Sequence, residues 1–114
     1  MANDERRTEP RVDVDLHVVE LDEHTTYFQY ATDLSAGGMF LFGTGPHTVG
    51  SQVTLLFKLP GDQSMTRLPA EVVGNTELPG KRGTHIRFVG NDSSEERTRV
   101  RAFVRARDPA TSPY

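Results

Sequence analysis

The sequence predicts a mainly β, all-antiparallel protein: a small barrel that carries one C-terminal helix. Segments rich in apolar and β-branched residues recur about every ten residues and are separated by glycine, proline and asparagine, which is typical of a small sandwich or barrel. After residue 90 the apolar residues change to helical spacing. With 114 residues, the chain has room for one domain with a single modest core.

Six segments have the character of strands. In the first of them, RVDVDLHVVEL, valine and leucine alternate with aspartate and histidine, which is the period of a half-buried strand. Turn residues directly after it predict a hairpin with the second segment. Pro69 lies within the fifth segment and indicates an edge or a bulge there. The predicted strands cover residues 11–21, 26–32, 39–42, 53–59, 65–73 and 84–89.

The C-terminal segment carries the signals of a helix. Ser93 and Glu96 predict a capping box, in which each side chain bonds a backbone N–H near the other residue. Acidic residues stand at the start and arginines at the end, an order that suits the helix dipole. A short apolar stripe at helical spacing is formed by Val100, Phe103 and Val104.

The chain is expected to have three parts. Residues 1–11 are charged and poor in apolar side chains, which predicts a flexible N-terminal segment that bears arginines. Residues 12–107 are expected to form the barrel and the helix, with the helix at about 93–107. Residues 108–114 are expected to be a frayed tail.

Composition excludes several classes of protein. The chain has no cysteine, so disulfides and cysteine-ligated zinc are excluded. No apolar run approaches the roughly 20 residues that cross a bilayer, and the charged N-terminus is unlike a signal peptide. We therefore expect a cytoplasmic protein without a membrane partner. The net charge of −3 argues against general binding of nucleic acids, whose phosphates favour a basic surface.

No catalytic or metal-binding constellation is visible in the sequence. Ser35 is not the nucleophile of a G-x-S-x-G turn, because Asp33 stands where the first glycine would be. The four histidines do not have the spacing of metal ligands. Phosphate-loop and dinucleotide-binding glycine motifs are absent as well. We expect no enzymatic activity, no metal and no cofactor.

Two short motifs remain, and together they suggest a binding site. Residues 7–11 (RTEPR) read R-x-x-x-R immediately before the first strand, where Pro10 favours an extended entry. Residues 33–38 (DLSAGG) read D-x-S-x-x-G at a strand boundary. Each pattern is common alone, and DLSAGG also fits a structural bulge or turn. Their joint occurrence in this order, with a strand and a hairpin between them, is far more specific.

These residues resemble the PilZ domain family. The similarity runs from about Glu5 to Arg107 and is carried by ERRTEPR at 5–11, TDLSAGGMF at 32–40 and THIRFVG at 84–90. The resemblance implies a six-stranded antiparallel β-barrel with a C-terminal α-helix, and it implies cyclic di-GMP as the ligand. The ligand-binding residues that it implies are Arg7, Arg11, Asp33, Ser35 and Gly38, with Arg6 and Gly37 as further candidates.

The chemistry of cyclic di-GMP suits these residue types. Arginine can fork onto guanine O6 and N7 and can bind phosphate with charge-assisted hydrogen bonds. Asp33 can accept from the guanine N–H edge, Ser35 can donate and accept, and the glycines leave room for close approach. We expect the N-terminal arginine segment to order over the ligand. The receptor, a monomer or weak dimer, would then signal to a downstream protein partner in motility or exopolysaccharide control.

Two other functions stay open at this point. A PilZ-like protein-interaction module could act without the nucleotide, although the intact motifs count against it. A small barrel could also bind single-stranded nucleic acid, but the net acidity and the few basic residues on the strands disfavour that function. The arginines on one face of the predicted helix are interpreted as a solvated face, with an acidic partner as the alternative: Arg97, Arg101 and Arg105.

Overall fold

The computed structural model describes residues 9–43 and 47–108. These residues form an antiparallel β-barrel, closed in the strand order β1-β2-β3-β6-β5-β4, and a C-terminal helix. The predicted fold class is therefore confirmed. The elements are β1 (Arg11–Leu21), β2 (Thr26–Ser35), β3 (Gly38–Phe42), β4 (Gln52–Phe57), β5 (Thr66–Thr76), β6 (Gly83–Phe88) and α1 (Glu95–Arg107).

The barrel interior follows from the period of two in the strands. β1 buries Val12, Leu16 and Val18, whereas the aspartates and the histidine between them are exposed, as predicted. Every strand contributes apolar residues to one core, and the short β3 buries its first four residues in succession. The most completely buried strand side chains of this core include Leu34, Met39, Leu41, Leu55, Phe57 and Val72.

The DLSAGG stretch corrects one strand boundary. Its first half was predicted to interrupt the strand at residue 32, but β2 continues through Ser35. Only Ala36 and Gly37 form the turn, because Ser35 and Gly38 are already paired across β2 and β3. The stretch is thus a tight two-residue hairpin turn, which places Asp33 and Ser35 on a regular strand rather than in a loop.

Pro69 lies within β5, where the closed barrel has no free edge. It stands opposite Thr54 of β4, one residue before the pairing of β5 with β6 begins at Ala70. The Pro69 carbonyl accepts from the Val89 N–H at 2.9 Å, so this residue directs its backbone polar groups toward the end of β6. The absence of an N–H on the proline therefore removes no hydrogen bond to β4. The β5 bulge lies farther along, between Val72 and Gly74.

Helix α1 begins one residue later than the predicted capping box requires. Ser94 is the N-cap, and its hydroxyl accepts from the Arg97 N–H at 3.1 Å, so the prediction that Ser93 caps the helix is wrong. The Ser93 N–H instead donates to the Asn91 side chain at 2.9 Å, in a turn before the helix. Val100 and Val104 are buried and join α1 to the barrel core. No helix in the described ranges is long and apolar enough to cross a membrane.

A polar network closes the end of the barrel where β1 ends and β6 begins. The Glu20 carboxylate is 1% exposed, and His47 Nε2 lies 3.1 Å from both of its oxygens. Gln29 donates to the same carboxylate at 2.7 Å. His47 Nδ1 lies 3.1 Å from the Thr84 hydroxyl, and Asn75 bonds both the N–H and the carbonyl of His47. The network therefore ties the connection between β3 and β4 to the strands.

We expect His47→Ala to lower the free energy of unfolding by about 3 kcal/mol, because the buried Glu20 carboxylate loses one of its donors. Urea unfolding measures the change. Replacing both partners, as in Glu20→Leu/His47→Leu, is expected to lower the free energy of unfolding by less than His47→Ala does, because no unpaired charge then remains inside the barrel. A His47→Ala variant with the stability of the wild type would contradict this role of the network.

Candidate functional site

A single row of paired residues crosses the other end of the barrel. Arg11 of β1 stands opposite Ser35 of β2, Ser35 opposite Gly38 of β3, and Gly38 opposite Arg87 of β6. Glu71 of β5 continues the row beyond Arg87. Because residues directly opposite on paired strands share a face, barrel closure gathers side chains that are far apart in sequence. Arg11 and two residues of the DLSAGG motif thus become neighbours.

Arg11 reaches diagonally across the β1–β2 pair to Asp33. Its Nη1 donates to the Asp33 carboxylate at 2.9 Å, and the two side chains are 54% and 25% exposed. Asp33 lies two residues before Ser35 on β2 and so on the same face of the sheet. The ion pair holds the guanidinium over the row, and solvent exposure leaves its remaining N–H groups available to a ligand.

Ser35 is buried at the hairpin turn, with 2% of its surface exposed. Its hydroxyl accepts from the Gly37 N–H at 3.3 Å and lies 3.4 Å from both the Gly38 carbonyl and a Glu9 carboxylate oxygen. The last two contacts are at the long limit of a hydrogen bond, so the Ser35 proton is weakly engaged. An acceptor atom of an incoming ligand could therefore replace the Glu9 carboxylate as the hydrogen-bond partner of the Ser35 hydroxyl.

The two glycines of the motif differ in their surroundings. A Cβ on Gly38 would lie 2.0 Å from the Ile86 carbonyl oxygen, so the close approach of β3 to β6 requires glycine there. The three atoms nearest to a Cβ on Gly37 would all belong to the Glu9 carboxylate, the first of them at 2.9 Å. Gly38 is therefore needed by the barrel itself, whereas Gly37 borders the space that a ligand would enter.

A surface cleft of about 570 Å³ opens beside this row. Three arginines are among the residues that line it: Arg11 on β1, Arg87 on β6 and Arg97 on α1. Arg87 forms an ion pair with Glu71. Three cationic forks around one cleft provide a site for a ligand that carries phosphate or guanine. The other polar groups on its wall are Glu9, Ser35 and His85.

His85 contributes a neutral group to the cleft wall. Burial lowers the pKa of His85 below its ordinary value, and the nearby Arg11 guanidinium lowers it further, whereas Asp33 opposes the shift. The imidazole also packs against the Phe40 ring at 4.8 Å and lies 2.8 Å from the Thr76 hydroxyl through Nε2. The positive charge of the cleft at neutral pH therefore comes from its arginines.

The structure brings together five of the seven residues that the sequence suggested for the site. Arg11, Asp33 and Ser35 lie within one patch, and Gly37 and Gly38 form its edge. Arg6 and Arg7 lie outside the described residues. In residues 9–43 and 47–108, no group of three histidine, aspartate or glutamate side chains could hold a metal ion.

Sequence reasoning missed four polar residues of the cleft wall. Glu9 was read only as a spacer within R-x-x-x-R, although its position two residues before Arg11 could have suggested it. His85 and Arg87 alternate along the last strand, which signals a shared face but not which face. Arg97 was interpreted as part of a solvated helix face, but it is half-buried and its guanidinium lies 5.8 Å from the Phe88 ring centroid.

Comparison with solved structures places this architecture among PilZ proteins. The PilZ domain with c-di-GMP of YcgR from Escherichia coli has a TM-score of 0.68 and 15% identity, over 90% of this chain and 91% of that domain. The PilZ domain of CeSA from a cellulose-synthesizing bacterium has a TM-score of 0.62 and 20% identity, over 83% of this chain and 94% of that one.

A third similar structure is the Bacillus subtilis inhibitor of motility, MotI/DgrA, with a TM-score of 0.73 and 19% identity over 87% of this chain. This chain covers 49% of MotI, so it spans about half of that protein. No curated protein sequence matches the chain significantly. The PilZ domain family itself matches residues 5–106, nearly the whole chain. This match and the closed barrel with its C-terminal helix confirm the resemblance seen in the sequence: the chain belongs to the PilZ domain family.

Proposed function

We propose that this protein is a receptor for cyclic di-GMP that acts on a partner protein. The observation that carries the proposal is the row across the barrel, in which Arg11 and Ser35 are directly paired and Arg11 is held by Asp33 at 2.9 Å. Arg11 of the first motif and Asp33 and Ser35 of the second therefore lie on one surface. The similar YcgR domain, described with bound c-di-GMP, supports the choice of ligand.

Each group at the site has a partner on the ligand. The exposed guanidinium of Arg11 can fork onto guanine O6 and N7 or bind a phosphate oxygen. Asp33 can accept from the N–H edge of a guanine while it keeps Arg11 in place. Ser35 offers a hydroxyl at the foot of the cleft. The 570 Å³ cleft lies in the size range of ordinary ligand pockets.

Glu9 must yield when the ligand binds. Its carboxylate lies 3.4 Å from the Ser35 hydroxyl and against Gly37, so it occupies the space into which a dianionic nucleotide would enter. Like charges repel at such distances. We propose that the ligand displaces Glu9 and that the preceding residues, which carry Arg6 and Arg7, then order over the nucleotide. Closure of this segment would change the surface offered to the partner protein.

The proposed output is signalling rather than catalysis. The arginines of the cleft wall suit the binding of a phosphate-bearing ligand, and the Glu9 carboxylate lies 3.4 Å from the Ser35 hydroxyl, at the long limit of a hydrogen bond. Motility and exopolysaccharide control are the processes that we propose for the partner. The similarity to a protein described as an inhibitor of motility favours the first of them.

Isothermal titration calorimetry with cyclic di-GMP tests the proposal. We expect saturable heat with an affinity in the micromolar range or tighter, and no response to GMP at the same concentration. Hydrogen exchange of the N-terminal peptide should slow when the ligand is added, since ordered amides exchange through rarer openings. The absence of heat up to high micromolar ligand would exclude the receptor function and leave a protein-interaction module that acts without the nucleotide.

A further inference from the structure

We infer that Arg97 of helix α1 binds the phosphate of the nucleotide, so that the helix forms part of the ligand site. The inference rests on the proposed receptor function and deepens it. Neither sequence motif includes Arg97, which lies on a different element from both. The residues of the motifs all lie on β1, β2 and β3 or just before them, whereas Arg97 approaches the same cleft from the C-terminal helix.

The position of Arg97 is fixed at both ends of its side chain. Its backbone N–H donates to the N-cap hydroxyl of Ser94 at 3.1 Å, which places the residue in the first turn of α1. Its guanidinium carbon lies 5.8 Å from the centroid of the Phe88 ring, a core side chain at the end of β6. Cation–π contact and burial together hold the guanidinium at the cleft wall. Little side-chain entropy is then left to lose on binding.

The charges of the three cleft arginines are balanced differently. Arg11 is paired with Asp33, and Arg87 is paired with Glu71. Arg97 has no carboxylate within ion-pair distance in the part of the chain that the structure describes, and its buried Nε has no hydrogen-bond partner there. Guanidinium N–H groups are strong donors, and buried donors are normally satisfied. An anionic ligand in the cleft would supply a countercharge to the Arg97 guanidinium.

Two neighbouring arginines of α1 show that this arrangement is particular to Arg97. Arg99 also has a buried Nε without a hydrogen bond, but its other nitrogens contact Thr66 at 3.1 Å and Glu95 at 3.8 Å. Arg101 donates to the Asp92 carbonyl at 2.8 Å. Neither of these two side chains lines the cleft. They serve the anchoring of the helix, whereas Arg97 faces the ligand space.

Phosphate is the ligand group that this geometry favours. The Arg97 guanidinium carbon lies over the Phe88 ring at 5.8 Å from its centroid, and a contact with a ring face does not use the in-plane N–H groups of a guanidinium. A phosphodiester offers two anionic oxygens that match this planar fork. Lysine would retain the charge but would lose the bidentate geometry and the stacking on the ring. Arg97→Lys should therefore restore only part of the binding.

Calorimetry on the full chain with cyclic di-GMP tests the assignment, with Arg101→Ala as the control that removes the same charge from the same helix. We expect Arg97→Ala to weaken binding by about tenfold or more, because a charge-assisted hydrogen bond is lost. Arg97→Lys should fall between it and the wild type, and Arg101→Ala should stay within about twofold of the wild type. Ligand should also slow hydrogen exchange in the first turn of α1 in the wild type and not in Arg97→Ala.

The outcomes separate this inference from the receptor function. Wild-type affinity in Arg97→Ala, measured on a chain that binds cyclic di-GMP, would overturn the role of Arg97 and leave the receptor function intact. No heat with the wild type would overturn both. An equal loss in Arg101→Ala would reduce the effect to the general charge of the helix and overturn the specific contact. If circular dichroism shows that Arg97→Ala is unfolded, the affinity of Arg97→Lys for cyclic di-GMP tests the inference instead. Wild-type affinity in Arg97→Lys would then overturn it.

Discussion

Arg11→Ala is expected to weaken the binding of cyclic di-GMP by about tenfold to hundredfold, since each charge-assisted hydrogen bond contributes about 1.5–3 kcal/mol. The guanidinium lies over the row of paired residues beside Ser35 and is held there by Asp33 at 2.9 Å. Removing it deletes the fork that would bind guanine or phosphate. It also leaves the Asp33 carboxylate without its cation, and an unpaired carboxylate repels a dianionic ligand.

The fold should tolerate this change. Arg11 is 54% exposed, and exposed ion pairs contribute only about 0–1 kcal/mol to the free energy of unfolding. The melting temperature of Arg11→Ala should therefore stay within a few degrees of the wild type, which makes the loss of affinity a property of the site.

A matched control is Arg67→Ala, which removes an exposed arginine from β5 at a position that does not line the cleft. Its affinity should equal that of the wild type. The double variant Arg7→Ala/Arg11→Ala should show no measurable binding, because both arginines of the N-terminal motif are then absent. Binding that survives this double substitution would contradict the assignment of the site to the two motifs.

The barrel could be predicted from the sequence because its strands have a strong local pattern. In β1, side chains of opposite polarity alternate, and glycine and proline mark the turns. The end of β2 was predicted incorrectly. Glycines predicted a break after residue 32, yet Asp33, Leu34 and Ser35 continue β2 because Leu34 is completely buried in the core. Burial of one apolar residue outweighed the turn signal that followed it.

The composition of the site could be predicted only in part. The pairing of β3 with β6, which places Arg87 beside Gly38, joins residues about fifty positions apart, and no local pattern specifies it. Arg97 reaches the cleft because burial of Val100 and Val104 in the barrel core sets how the faces of α1 lie against the barrel. The helical spacing of apolar residues predicts the buried face. It does not specify which cleft the residues beside that face reach.

Gly38→Ala is expected to lower the free energy of unfolding by about 3 kcal/mol, the upper range for forcing extra volume into a packed site. A Cβ at this position would lie 2.0 Å from the Ile86 carbonyl oxygen and 3.3 Å from the Arg87 Cα, and both of these neighbours are backbone atoms. Backbone cannot swing aside as a side chain does, so β3 must move away from β6. The φ angle of Gly38 is not positive, which makes space rather than backbone conformation the reason for glycine.

Gly37→Ala is the matched comparison one residue earlier. The atoms nearest to its Cβ would belong to the carboxylate of Glu9, the end of a flexible side chain that can rotate away. The free energy of unfolding should therefore change by less than about 1 kcal/mol. Because the Gly37 carbonyl is already bonded to the Phe88 N–H at 2.7 Å, the turn should keep its place against β6.

Urea unfolding and calorimetry on the two variants separate the roles of the two glycines. Gly38→Ala should be destabilised, and any loss of affinity for cyclic di-GMP should follow from the disturbed pairing of β3 with β6. Gly37→Ala should fold normally but bind cyclic di-GMP more weakly, because its methyl group fills space at the cleft wall beside Ser35. Wild-type stability in Gly38→Ala would contradict the requirement for glycine where β3 pairs with β6. Wild-type affinity in Gly37→Ala would show that the ligand does not approach the turn, and it would restrict the site to Asp33, Ser35 and the arginines.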